Sequence, residues 1–248
     1  SPAENTESAA HSVFSMTGGT VDARYGLALS GNNTQSALCS AEITGGTLTA
    51  VEEATAIYWP MEGTLTVGGS AVVEGGTGIE AKMGTINIMG GTITGTGAYL
   101  DDEPYQGGSQ SEGSALLVAS QMYGGNSGQY AQSPALTVNI TGGTLSGNQG
   151  NAVTVYNTED TESQETVVTV NGGTLSAASG RADVSVVNAS GQNETALEQE
   201  DGANSFVSSQ SQTKVTVSSS VTAAAVDEAG NTAYYTDVNE ALAANTES

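Results

Sequence analysis

The stretch Val138-Asn139-Ile140-Thr141-Gly142-Gly143-Thr144-Leu145 decides the fold. Its first four residues alternate apolar and polar, the period-two signature of a strand, and a glycine pair, a threonine and another apolar residue follow. The unit recurs. Gly-Gly-Thr-(Val/Leu/Ile) also stands at Gly18-Gly19-Thr20-Val21, Gly45-Gly46-Thr47-Leu48, Gly90-Gly91-Thr92-Ile93 and Gly172-Gly173-Thr174-Leu175, with a degenerate copy at Gly68-Gly69-Ser70-Ala71. Successive glycine pairs are 27, 23, 22, 52 and 30 residues apart, one coil each, the longest swollen by insertions. Internal periods of this size mark a solenoid.

The motif has a physical reading. A corner that stacks on identical corners needs positive φ or room for close backbone approach, and glycine supplies both. The threonine then points to solvent and ladders with its copies, and the apolar residue after it fills the core. A second strand series follows each corner: Leu27-Ala28-Leu29, Ile57-Tyr58-Trp59, Ile79-Glu80-Ala81, Leu116-Leu117-Val118, Val153-Thr154-Val155 and Val184-Ser185-Val186. Its outward positions read Ala28, Tyr58, Glu80, Leu117, Thr154 and Ser185, while Trp59 faces inward opposite Ala81. The first coil opens at Val13-Phe14, and the last pairs Val215-Thr216-Val217 with Val221-Thr222-Ala223. The expected fold is all-β: a single-stranded right-handed parallel β-helix of about seven coils over residues 1–227, then a short capping helix and linker to a following module over 228–248. In that tail Asp237 caps a helix, with Val238, Ala241 and Leu242 on one face. Thirty-three glycines and few aromatics suit a narrow core, and the in-register alternation excludes a disordered Gly/Ser linker.

Net charge is −23, with only Arg24, Lys82, Arg181 and Lys214 basic. Such a chain repels nucleic acid and anionic lipid, so nucleic-acid binding is excluded as a function. No apolar run is long enough to span a bilayer as a helix. The lone Cys39 reads as a small buried hydrophobe.

The Gly-Gly-Thr corners, the inward Ile/Val ladder and the tail Tyr234-Tyr235-Thr236-Asp237-Val238-Asn239-Glu240-Ala241-Leu242 resemble right-handed parallel β-helix modules, pectate-lyase-like in class, of secreted bacterial surface and adhesin-type proteins. The resemblance covers nearly the whole chain. It implies a non-catalytic extracellular module, attached to a cell wall or cell surface, that serves as stalk or adhesive segment. Its partner would be a glycan or a host or bacterial surface protein. A carbohydrate-binding β-helix, Ca²⁺-assisted or not, is the alternative, and a polysaccharide lyase or hydrolase the third reading, because this architecture hosts all three. No catalytic residues are expected: neither a cluster of carboxylates nor an Arg or Lys base beside a cation site is visible, and on the second strand series only Glu80 and nearby Lys82 ionise.

The candidate ligand site lies on insertions. Gly95 to Gly113 and Met122 to Pro134 flank the same strand, Leu116 to Ala119, and bring together Tyr99, Asp101, Asp102, Glu103, Tyr105, Tyr123, Asn126 and Tyr130. Aromatic planes beside carboxylates and amides are a usual means of holding a sugar ring. Two later loops, Asn157 to Glu165 and Gly191 to Thr213, are rich in Asp and Glu and are expected to stack into one acidic ruff. No cofactor is expected and no metal ligand set is assigned; Ca²⁺ at these acidic loops is the alternative their charge leaves open.

Overall fold

The computed structural model describes residues 12–31, 39–100, 108–120, 135–157, 165–188, 190–199, 203–208, 212–218, 223–226 and 232–235. These residues are all-β, with no helix among them. The first sheet holds β1 (Val13–Ala23), β3 (Ser40–Ala50), β5 (Thr64–Val67), β6 (Val72–Gly75), β8 (Gly84–Gly95), β10 (Leu136–Gly147), β12 (Thr166–Val170), β13 (Thr174–Ser176), β16 (Ala203–Val207) and β17 (Thr213–Ser218). The second holds β2 (Leu29–Ser30), β4 (Thr55–Trp59), β7 (Thr77–Ala81), β9 (Leu116–Val118), β11 (Val153–Tyr156), β14 (Val184–Val187) and β15 (Asn193–Leu197). From β1 to β14 the chain visits the two sheets in turn, and every pairing among these strands is parallel. Strands β18 (Ala223–Val226) and β19 (Thr232–Tyr235) form a separate antiparallel pair. The expected capping helix falls at 237–242, outside the described residues.

In four of the five strict copies the glycine pair works as a bulge rather than a break. Strands β1, β3, β8 and β10 run straight through it, and the register of β8 against β10 shifts between Ile140 and Thr144, whereas at Gly172-Gly173 the strand is interrupted between β12 and β13. The two glycines do different jobs. Gly143 sits at φ +87°, the left-handed region that a side chain disfavours. Gly142 has no such φ, but a Cβ there would lie 2.6 Å from the Met89 carbonyl oxygen of the neighbouring repeat. The first glycine therefore permits close stacking and the second permits the bend.

The expected inward stack is present. Val21, Leu48, Val73, Ile93, Leu145 and Leu175 are successive register partners, and Leu48, Ile93 and Leu145 are fully buried. Val73 shows a departure: in the degenerate copy the spacing puts Ala71 in the stack, whereas the chain runs two residues further before rejoining the ladder. On the outer side Thr20, Thr47, Val72, Thr92, Thr144 and Thr174 align, with a valine replacing threonine in that same copy. Beside them Asn139 Nδ2 donates to Asn87 Oδ1 at 3.0 Å. Inward residues of both sheets share one apolar cluster, which includes Trp59, the register partner of Ala81. Burying each large aliphatic side chain there stabilises the fold by about 1.5–3 kcal/mol. Cys39 is buried as expected.

Three expectations need correction. In the first repeat Ser30, not Ala28, is the partner of Tyr58, because the strand pairs two residues later than its apolar pattern suggests. The partners of Val215 to Val217 are in β12, which β17 meets in parallel, and β16, which it meets antiparallel, while Val221 and Thr222 lie outside the described residues. The stretch from Gly191 to Thr213 is not one acidic loop, since it supplies β15, antiparallel to β14, and β16. Thus one end of each sheet carries an antiparallel strand, β16 or β15, while β1 and β2 form the other ends in parallel pairing.

Candidate functional site

Outward positions of a strand alternate with core positions, so the residues partnering Tyr58 along the second sheet form one column: Ser30, Tyr58, Glu80, Leu117, Thr154 and Ser185. Apart from Ser30 at the end, this column is not solvated. Glu80 and Leu117 are fully buried, and Thr154 and Ser185 nearly so. One cover is the end of the first insertion, which its sequence suggested only as a ligand loop. Gln110 N–H donates to Glu80 Oε2 at 2.7 Å, the hydroxyls of Thr55 and Thr77 donate to the Gln110 carbonyl at 3.2 and 2.8 Å, and Glu112 N–H donates to Thr77 Oγ1 at 2.9 Å. Beyond it Ser114 and Thr154 share a hydroxyl hydrogen bond of 2.7 Å. Leu117, Ala119, Tyr156 and Val187 form a second, smaller apolar cluster.

Three ionisable groups are enclosed here. Lys82 Nζ lies 3.9 Å from Glu80 Oε1, with both side chains 1% exposed or less. Burial lowers the Lys82 ammonium to about 8, against the pull of the Glu80 carboxylate. Burial also pushes the Glu112 carboxyl up to about 8, opposed by a hydrogen bond from Ser114 and reinforced by the Glu80 charge. Glu112 is therefore neutral at pH 7, and its Oε1 has no hydrogen-bond partner. Sequence pattern put Glu80 and Lys82 on this face but gave no sign of Glu112, because nothing in the spacing of a loop says that it folds back as a lid.

A different feature lies farther along the column. A cavity of about 260 Å³ opens between Tyr99, Asn151, Arg181, Ser185, Asn193 and Glu198. The Arg181 guanidinium stacks 3.9 Å above the centre of the Tyr99 ring. Asn151 is locked as its floor: its Nδ2 donates to Thr154 Oγ1 at 3.0 Å, and its Oδ1 accepts from Ala182 N–H at 3.1 Å. Ser185 Oγ donates to Asn193 Oδ1 at 3.1 Å.

Of the ligand residues expected from sequence, Tyr99 lies at this cavity. Asp101, Asp102, Glu103, Tyr105, Tyr123, Asn126 and Tyr130 lie outside the described residues. Asn151, Arg181 and Asn193 were missed, since they come from two other connections and the start of β15, which only the stacking brings together. The acidic ruff is not a single array among the described residues: Glu165 pairs with Lys214, Glu194 accepts from Asn157 Nδ2 at 2.8 Å, and Glu198 borders the cavity. Among these residues no group of three His, Cys, Asp or Glu side chains is placed to hold a metal ion. Comparisons with protein-family models, curated proteins and solved structures return no match.

Proposed function

We propose that the two sheets are walls of one right-handed parallel β-helix of about seven coils, and that this solenoid is a non-catalytic, extracellular surface module, a stalk or adhesive segment. In support of closure, the chain alternates between the sheets while equivalent residues stay in register, and inward residues of both sheets share one core. At roughly 4.8 Å per coil the body would be a rod of about 30–35 Å. The extracellular, surface-attached placement rests on the resemblance of the Gly-Gly-Thr corners to those of secreted bacterial surface modules.

The observation that carries the non-catalytic reading is the enclosure of Glu80, Lys82 and Glu112, the carboxylates and ammonium under the folded-back insertion. An acid or base must reach the proton it moves. Glu80, Lys82 and Glu112 are 0%, 1% and 2% exposed, so a polysaccharide cannot reach them without removal of the covering segment. Glu80 and Glu112 tie the insertion to the scaffold instead. The test is incubation with polygalacturonate, pectin and common plant or host glycans, with and without Ca²⁺. Neither new reducing ends nor unsaturated products should appear. Turnover that disappears in Glu80→Gln would overturn the reading and favour a lyase or hydrolase.

A further inference from the structure

We propose that the cavity beside Tyr99 and Arg181 binds one neutral sugar ring, a proposal that deepens the adhesive form of the reading above by naming its ligand class. Size comes first. At about 260 Å³ the cavity falls just below the roughly 300–1,000 Å³ of drug-sized pockets, which suits one ring rather than an oligosaccharide. Its floor is rigid: Asn151 and Ser185 are 2% and 3% exposed and are fixed by the hydrogen bonds of a packed sheet face.

The chemistry of the walls selects the ligand. A sugar hydroxyl both donates and accepts, so its site needs donors and acceptors around a partly apolar surface. The Tyr99 ring with its stacked guanidinium gives the flat wall. Asn193 uses its Oδ1 to accept from Ser185, which turns its Nδ2 away from that bond, and this nitrogen donates to no described residue. Glu198 brings acceptor oxygens, one of which accepts from Asp183 N–H at 3.4 Å. One cation and one anion border the cavity, so it has no excess charge to draw an anion, and the −23 of the whole chain repels uronates.

The experiment titrates the full chain with methyl pyranosides, N-acetylated pyranosides and free uronic acids, followed by saturation-transfer NMR and calorimetry. At least one neutral pyranoside should bind saturably, at about millimolar strength for a single ring. Asn193→Ala and Arg181→Ala, with thermal midpoints checked to show that each variant is folded, should each weaken it about tenfold. Binding unchanged in both folded variants, binding confined to uronates, or no binding to any sugar overturns the proposal. None of these outcomes touches the non-catalytic reading, which falls if the glycan digests show turnover.

Discussion

Gly143, at φ +87°, would bring an added Cβ 2.8 Å from the Gly90 carbonyl oxygen of the repeat below, whereas Gly18 has neither a positive φ nor any atom within 4 Å of the same position. Two members of one motif should therefore respond differently. Gly143→Ala is expected to cost about 1–3 kcal/mol, and Gly18→Ala about zero or slightly less than zero, by urea denaturation. Equal effects would mean that the motif is not read through its stacking. Glu112 gives a second prediction. Its carboxyl titrates near 4.5 ordinarily and near 8 when folded, so between these values the folded chain holds a proton that the unfolded chain has lost. The stability tied to that proton is complete below about pH 4.5 and is lost as pH rises to about 8, by about 1.4 kcal/mol per unit. Lys82 acts above this window with the opposite sign, since its unfolded form holds the extra proton between about 8 and 10.5. Glu112→Gln should flatten the fall between pH 5 and 8; an unchanged slope would show that another group causes it. Lys82→Met should cost about 3–5 kcal/mol because it leaves the buried Glu80 carboxylate without its cation, and Glu80→Gln added to it should recover much of the loss.

Among the elements, β10 is the most informative. Ile140 is fully buried and partners Ile88 on one side and Val170 on the other, so Ile140→Ala should cost about 2–4 kcal/mol, as a narrow core cannot close over the hole. A thermal or urea midpoint close to that of the parent chain would contradict this packing. Strands such as this were legible because their alternation is strict and their glycine pairs fix the phase. The alternation at 27–30 was equally strict, yet its register slipped by two residues, because a shift of two leaves the same side chains inward and costs the pattern nothing. The antiparallel strands β15 and β16 were illegible for another reason. Thr195, Glu198 and Gln199 look like loop residues, and they enter an edge strand or its end only because β14 offers one. The candidate site was half legible: an insertion announces itself by length, but the side chains it meets come from distant repeats, as Tyr99 meets Arg181.

At the scale of the molecule, the reading stands on closure of two sheets into one tube, since a rigid rod that displays a side pocket is what a stalk or adhesive segment requires. Equivalent residues far apart in sequence must then be nearest neighbours in space. Ile93 and Leu145, separated by an insertion-bearing coil, are register partners, while Leu48 reaches Leu145 only through Val73 and Ile93. With strands roughly 4.8 Å apart, Leu48 and Leu145 are about 14 Å apart along the stack. The most direct test is methyl NOE spectroscopy on an Ile/Leu/Val-labelled sample. A closed solenoid predicts strong Ile93–Leu145 and Leu145–Leu175 cross-peaks, cross-wall peaks between first-sheet and second-sheet core methyls, and none between Leu48 and Leu145. Missing Ile93–Leu145 contacts, or a direct Leu48–Leu145 peak, would contradict it.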